Sequence, residues 1–286
     1  MYHQFYGLSR APFSVTPDPG LLYLSAQHRE ALAMIAHSVA SRKGFTVLTG
    51  EVGLGKTTVV RAYFEEANSA GLKLINIFTP VMTGPELMRY LCKELGLPPV
   101  ESDIEALQAL QVRLLEMYRA NRTVGLILDE AQTLRPETIE YLRLLSNLET
   151  NADKLLQIIL VGQPELDRLL ASRDLRQVNQ RIVLRARLKP LSVAESVAYL
   201  EYRLMRTGAE SLKSVITRRA ARAIARASAG IPRQLNVLAD NALIAGYSAD
   251  ERPVGVGLAR QVIKELAERD YFAHQPRRGL WRWIGG

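Results

Sequence analysis

The feature that most constrains this chain is a glycine-rich segment between an apolar run and a helical pattern. It reads Gly50-Glu51-Val52-Gly53-Leu54-Gly55-Lys56-Thr57-Thr58, the G-x-x-x-x-G-K-[ST] pattern of a phosphate-binding loop. The glycines allow positive φ angles and let main-chain N–H groups turn toward an anion. Lys56 supplies a cation for the β- and γ-phosphates, and the Thr57 hydroxyl is a ligand for Mg²⁺. The segment predicts binding of a nucleoside triphosphate with Mg²⁺.

A second motif consists of two acids that follow the apolar run 124–128 directly. Open α/β sheets bind ligands at the carboxyl ends of their strands, so Asp129 and Glu130 are expected beside the loop. Asp129 is predicted to share the Mg²⁺ with Thr57, and Glu130 to orient and polarise the attacking water. Because the glutamate follows the aspartate directly, the pattern favours hydrolysis over binding alone.

Composition places the chain among globular proteins. Its 286 residues are 48% apolar and 23% charged, which suffices for a sizeable core and two domains. The single cysteine, Cys92, excludes an internal disulfide framework. The first residues do not resemble a signal peptide, and no run is long and apolar enough to span a bilayer. We therefore expect a soluble protein of a reducing compartment, the cytoplasm.

The positive charge is unevenly distributed along the chain. The net charge is +8, and the segment between Glu210 and Asp240 has six basic residues and no acid. Such clusters attract nucleic acid or anionic lipid. Arg218, Arg222 and Arg226 also recur every four residues, as on a solvated helix face. Both interpretations stay open, with the solvated face favoured.

The pattern divides the chain into four regions. Residues 1–24 form an extended N-terminal arm rich in aromatics and proline, and 25–190 form the nucleotide-binding core. Residues 191–270 show only helical patterns, and 271–286 form a basic, aromatic tail. In that tail Trp281 and Trp283 are candidates for contact with lipid headgroups.

The core region shows five apolar runs typical of strands. The last run alternates between apolar and charged residues, which predicts a strand near the edge of the sheet. Residues 165–181 are predicted to be helical. The predicted strands are 44–49, 72–78, 124–128, 155–161 and 182–188.

Two further polar residues are candidates for sensing the γ-phosphate. Gln163 follows the predicted strand 155–161, where its amide is suited to hold the water or the γ-phosphate, or equally to bond local backbone. Gly230 suits the C′ position of one helix and Pro232 the first turn of the next. Arg233 would then start that helix and reach a γ-phosphate from a lid domain.

Together these residues resemble an AAA+ ATPase. More narrowly, the chain resembles the bacterial general secretion pathway A-type ATPases, whose kin serve type II secretion, mannose-sensitive pilus biogenesis and exosortase-linked loci. That resemblance covers residues 1 to about 270. It is carried by Phe5-Tyr6-Gly7-Leu8, Pro12-Phe13, Thr16-Pro17-Asp18-Pro19 and Leu160-Val161-Gly162-Gln163-Pro164-Glu165-Leu166.

The resemblance implies a fold and further roles. It implies a three-layer α/β P-loop NTPase with parallel sheet order 5-1-4-3-2, followed by a small all-helical lid domain. It implies ATP and Mg²⁺, a hexamer-like ring or filament, and sensor roles for Gln163 and Arg233. It also implies an arginine finger acting in trans, for which Arg181 is preferred to Arg176, and a switch role for Thr79 toward the catalytic glutamate.

Two function classes follow. The arm and the Gly-Gln-Pro-Glu-Leu segment favour an envelope-assembly motor that hydrolyses ATP at the inner face of the inner membrane, with an inner-membrane partner and peripheral contact through the tail. The basic lid favours a DNA-associated ATPase of the transposition or origin-recognition type. A nucleotide-dependent switch with negligible turnover is disfavoured by Glu130. Family members commonly continue into a transmembrane segment and a peptidoglycan-binding domain, and this sequence stops before them, so a direct cell-wall role is not expected from these residues. The envelope motor is the preferred interpretation.

Overall fold

A computed structural model describes residues 2–14, 19–67 and 71–269. The tail with Trp281 and Trp283 lies outside the described residues, and so do Thr16, Pro17 and Asp18. The chain divides into two compact units. One is an α/β unit of residues Ala26–Lys189, and the other is a helical unit of Met1–Ser25 with Pro190–Gly286.

The α/β unit is built on one five-stranded sheet in which every paired strand is parallel. The order is β2-β3-β4-β1-β5, which is the predicted order seen from the other edge, so the predicted fold class is confirmed. β5 lies at one edge and alternates in exposure, as its sequence predicts. The strands are β1 (Phe45–Thr49), β2 (Leu72–Ile77), β3 (Thr123–Leu128), β4 (Leu156–Gly162) and β5 (Ile182–Arg187).

The register of the sheet brings the ends of three strands together. β1 and β4 are buried at every residue, as expected for parallel strands covered on both faces. Thr49 pairs with Gly162, and Leu128 pairs with Leu160. The loop after β1, the acids after β3 and the glutamine after β4 therefore leave the sheet at the same edge.

In the part of the chain that the structure describes, seven α-helices accompany the sheet in the α/β unit, and one short helix lies at the start of the chain. The predicted helix 165–181 is wrong as a single element, because α7 ends at Leu170 and α8 begins at Arg176. The apolar spacing explains the break: Leu166 and Leu170 are four residues apart, but Leu175 follows after five, which one apolar helical stripe does not accommodate. The helices are α1 (Tyr2–Phe5), α2 (Ala26–Ala40), α3 (Lys56–Ala67), α4 (Gly84–Glu94), α5 (Asp103–Arg119), α6 (Pro136–Leu145), α7 (Pro164–Leu170) and α8 (Arg176–Asn179).

The helical unit has its own hydrophobic core. One of its helices begins at Arg218, where the Thr217 hydroxyl accepts a hydrogen bond from the Ala220 N–H. Within the described residues, no helix combines the length and the apolarity needed to cross a bilayer. The helices after the sheet are α9 (Val193–Arg206), α10 (Arg218–Ala227), α11 (Pro232–Ser248) and α12 (Val256–Glu268).

The N-terminal residues pack into this second core. The prediction of an extended arm is wrong for Tyr2–Phe5, which are helical, because the aromatics at this end are anchored among the helices of this unit. Tyr6 and Phe13 are buried there. Arg203, 7% exposed, donates to the Pro12 carbonyl (2.6 Å). A buried arginine needs such partners, so this bond ties the arm to α9.

The turn between α10 and α11 is shaped by a close backbone approach. Gly230 has φ +75°, and a Cβ there would lie 1.9 Å from the Leu191 carbonyl oxygen. The predicted C′ position belongs to Ala229 instead, which itself has φ +49°. Gly230 follows the C′ residue, and a glycine is needed there because the Leu191 backbone lies too close for a side chain. Pro232 begins α11 as predicted, which places Arg233 in the first turn.

Candidate nucleotide-binding site

The glycine-rich segment connects β1 to α3 with the backbone geometry of an anion-binding loop. Gly53 and Gly55 have φ angles of +82° and +92°, which side chains rarely tolerate. α3 begins at Lys56, so the N–H groups of its first turn and the positive end of its dipole lie at the loop. Val52 is exposed at the loop tip. The backbone here fits the phosphates of a nucleotide.

Lys56 is buried against the loop itself. Its side chain is 5% exposed, and Nζ donates to the carbonyls of Gly50 (2.8 Å) and Glu51 (3.1 Å). Burial lowers the pKa of Lys56, while the nearby charges of Glu130 and Asp129 act in the opposite direction. The ammonium group therefore donates to neutral carbonyls. Anionic phosphate oxygens are stronger acceptors and would replace them when a nucleotide binds.

The two predicted Mg²⁺ ligands are in direct contact. Thr57 Oγ1 donates to Asp129 Oδ2 (2.8 Å), and Asp129 Oδ1 accepts from the Glu130 N–H (2.9 Å). Asp129 is 3% exposed, and burial raises the pKa of its carboxyl group against the effect of these two hydrogen bonds. A hydroxyl and a carboxylate at one point are the hard oxygen donors that Mg²⁺ prefers, so the residues fit this ion.

Glu130 is held by its backbone and by two amides. Its φ angle of +54° lies in the left-handed region, which is rare for a residue other than glycine and is enriched at functional sites. Its Oε2 accepts from Gln163 Nε2 (3.2 Å) and from Gln132 Nε2 (2.6 Å). The Gln163 side chain therefore contacts the predicted base rather than local backbone, the alternative that the sequence left open.

His28 is a residue of this site that sequence reasoning missed. It lies on α2 and is 5% exposed, and its Nε2 is 2.7 Å from the Leu54 carbonyl oxygen. A Cβ at Gly55 would come within 3.0 Å of the same nitrogen. Through His28, α2 thus contacts and supports the backbone of the phosphate-binding loop. The signal was present in the sequence, because His28 shares the buried helical face of Leu32 and Ile35.

Gln132 is the second residue missed. It lies two residues after Glu130, in a 3₁₀ turn at Ala131–Thr133. Its amide bonds both Glu130 and the Gln163 backbone. No pattern in the sequence distinguishes this glutamine from an ordinary turn residue, because its contacts depend on the pairing of β3 with β4.

Of the remaining predicted residues, those in the α/β unit are not brought to this cluster. Arg181 is half-buried, and its guanidinium donates to Ser146 Oγ (2.8 Å) after α6, whereas Arg176 is exposed on α8. Arg233 lies in the helical unit. Thr79 is exposed, and among the described residues it makes no hydrogen bond with the Glu130 carboxylate. The roles assigned to these residues stay predictions.

Comparison with known proteins finds relatives of the sequence. Residues 38–170 match the family model described as an AAA domain. General secretion pathway protein A of Aeromonas hydrophila is 41% identical over 250 residues, which are 87% of this chain. The match covers 45% of that relative, so the chain spans less than half of its length.

Solved structures share the fold at low identity. The Aeropyrum pernix ORC2 protein in ADPNP–ADP complexes has a TM-score of 0.65 at 19% identity over 90% of this chain and 72% of that one. Drosophila ORC bound to DNA reaches 0.65 at 18% identity, with 96% and 69% covered. The Thermotoga maritima RuvB Holliday junction branch migration motor reaches 0.51 at 17% identity, with 86% and 73% covered. At these identities the likeness concerns the fold.

The buried ammonium of Lys56 predicts a pH-dependent stability difference between the wild type and Lys56→Met. Because burial lowers the pKa of Lys56, the unfolded chain binds more protons than the folded one between the lowered pKa and the ordinary value of 10.5. The free energy of unfolding of the wild type should therefore rise relative to that of the variant as the pH increases through this window. Chemical denaturation without nucleotide, from neutral pH to about 10.5, measures the difference.

Lys43→Met provides the control for this prediction, because Lys43 is an exposed lysine in the same unit. Its stability difference from the wild type should stay constant over the same range. A Lys56→Met difference that is equally constant, or that moves in favour of the variant, would contradict the burial of a charged Lys56.

Proposed function

We propose that the chain is an AAA+ ATPase of the general secretion pathway A type, and that it hydrolyses ATP to drive assembly or positioning of a bacterial envelope secretion, pilus or polysaccharide-export apparatus. The observation that carries the hydrolysis is Glu130, oriented by two amides beside the Thr57–Asp129 pair. The 41% identity to general secretion pathway protein A supports the envelope role. The place of action is the cytoplasmic face of the inner membrane, beside an inner-membrane partner.

The residues of the site divide the work of hydrolysis. The loop N–H groups, the first turn of α3 and Lys56 bind the phosphates, while Thr57 and Asp129 would hold Mg²⁺. Bound Mg²⁺ supplies positive charge that offsets the charge on the phosphate oxygens. Glu130 accepts a hydrogen bond from the attacking water and orients it, and Gln163 steadies the same carboxylate.

Binding and hydrolysis should respond to different substitutions. Lys56→Ala should abolish detectable ATP binding, because it removes the cation that contacts ground-state phosphates. Glu130→Gln should bind ATP and lose at least about 100-fold in kcat, because a positioned base acts on the water. ATP affinity and turnover are measured separately on each variant. Near-normal turnover of Glu130→Gln would remove Glu130 from the role of base.

A neighbouring copy of the chain is proposed to complete the site. Arginines supplied in trans contribute about 10³–10⁵ in rate in well-characterised phosphoryl-transfer enzymes. Arg181 and the exposed Arg176 are the candidates, and Arg181 bonds Ser146 within its own chain. Loss of Arg181 would therefore have two consequences, one for that internal bond and one for a neighbouring site. A variant that separates them is needed.

Turnover per subunit should rise with protein concentration and fall at least about 100-fold in Arg181→Ala. Ser146→Ala is the matched control, because it removes the internal bond but keeps the arginine, and it should retain turnover. Mixing Arg181→Ala with Lys56→Ala should restore activity at hybrid interfaces. A concentration-independent rate would refute the shared site, and a loss confined to Arg176→Ala would transfer the role to that residue.

A second candidate function, association with DNA, is favoured by one surface of the helical unit. Arg218, Arg219 and Arg222 are exposed on α10 in a segment without acids. Spaced guanidinium groups of this kind neutralise phosphates without reading bases. One of the similar folds was solved bound to DNA.

Charge reversal on α10 separates this function from the envelope role. If the face binds duplex DNA, log affinity should fall with log salt at a slope of about −0.9 per phosphate neutralised, and exchange of Arg218, Arg222 and Arg226 for Glu should abolish binding. The same exchange at the exposed Arg89, Lys93 and Arg119 of the α/β unit is the control. The envelope role expects no ATP-dependent DNA binding at about 150 mM salt. DNA assemblies that form only with ATP would overturn it.

A further inference from the structure

We propose that Gln132 is a positioning residue that couples Gln163 to Glu130, an inference that rests on the proposed hydrolysis. Its carboxamide lies between the end of β4 and the base. It contacts Glu130 Oε2 through Nε2 (2.6 Å) and the Gln163 backbone N–H through Oε1 (3.0 Å). Gln132 is therefore the link between a strand end and the carboxylate.

The orientation of the Gln132 amide follows from its partners. A backbone N–H only donates, so the Gln163 N–H has to face the amide oxygen. The NH₂ group is then directed at the Glu130 carboxylate, which accepts. A hydrogen bond to a charged acceptor is stronger than one between neutral groups. The backbone of β4 thereby fixes the direction in which Gln132 donates.

Gly162 provides independent support for this arrangement. It is the last residue of β4, a strand of otherwise large side chains, and glycine weakens a strand interior. A Cβ at this position would lie 2.7 Å from Gln132 Oε1 and 3.0 Å from a Leu166 methyl group. The space that a side chain would fill is occupied by the Gln132 amide. The strand end is thus shaped around the contact.

The contacts close into a ring. Gln163 precedes α7 at its N-cap position but makes no side-chain cap, and its own amide donates to Glu130 Oε2 (3.2 Å). A displacement of Gln163 therefore moves both donors of the carboxylate at once. Both donors bind Oε2, and among the described residues Oε1 accepts no hydrogen bond. Oε1 is the oxygen that this arrangement presents to the water.

Loss of the Gln132 donor should affect the chemical step and leave nucleotide binding intact. Gln132 makes none of the contacts of Lys56 or Thr57, so the ATP affinity should stay close to that of the wild type. Removal of one charge-assisted hydrogen bond from the base should lower kcat about 10- to 100-fold. KM should change by less than about threefold, since the lost bond acts on the water and not on the phosphates.

Two substitutions at this position test the inference on the whole chain. Gln132→Met keeps the length and removes both hydrogen bonds. Gln132→Leu likewise removes both hydrogen bonds with a shorter, branched side chain and adds no charge beside Glu130, so it serves where methionine disturbs folding. Gln111→Met, at an exposed glutamine of α5, is the matched control and should keep the wild-type kcat. Each variant is measured for kcat, KM, ATP affinity and unfolding midpoint.

A double-mutant comparison separates positioning from a merely structural role. If Gln132 acts through Glu130, Gln132→Met should lower single-turnover hydrolysis in the wild type but add nothing in the Glu130→Gln background. Equal losses in both backgrounds, or an unchanged kcat in both Gln132 variants, would overturn the inference and leave the proposed function standing. A wild-type chain that binds ATP and does not hydrolyse it would overturn both.

Discussion

The central strands of the parallel sheet are covered on both faces and leave charged groups only at their ends, and this constraint organises the α/β unit. β1 and β4 bury every side chain, so the sheet interior offers no place for a charge. The pairing of Thr49 with Gly162 and of Leu128 with Leu160 fixes where each strand stops. The phosphate-binding loop follows the end of β1, Asp129 and Glu130 follow the end of β3, and Gln163 follows the end of β4.

The site contains ionisable groups that are buried and a residue with a strained backbone, both of which cost free energy in the folded state. Lys56 and Asp129 are almost fully buried. Burial lowers the pKa of Lys56 and raises that of Asp129, which favours the neutral form of each. Glu130 keeps a left-handed backbone. Such features lower stability and persist only where surrounding structure enforces them. Here the enforcement comes from α2 through His28 and from β4 through Gln132.

Local sequence patterns predicted the elements and the main site residues, but they did not predict contacts that depend on the pairing of strands. The strands and the positions of Lys56, Thr57, Asp129 and Glu130 could be predicted because apolar runs and the loop pattern are local signals. The order of the strands was implied only by the resemblance to AAA+ ATPases. The contacts of Gln132 could not be predicted, because they arise only once β3 and β4 are in register. The single helix over 165–181 was wrong although the sequence contained the reason, because Leu175 follows Leu170 by five residues and so leaves the apolar stripe of Leu166 and Leu170. The arm was misjudged since its aromatics find their partners in helices far along the chain.

The long sequence separation between the N-terminal arm and the helices it contacts has a consequence for folding during synthesis. The Arg203–Pro12 bond joins residues 191 positions apart, and the α/β unit lies entirely between them in the chain. On the ribosome, Tyr6 and Phe13 emerge before α9 to α11, so they have no core to enter until those helices follow. The α/β unit contains all the residues of its own core and can collapse in the meantime. The N-terminal arm therefore reaches its native contacts later than the α/β unit, and its aromatic side chains stay exposed on the nascent chain until then.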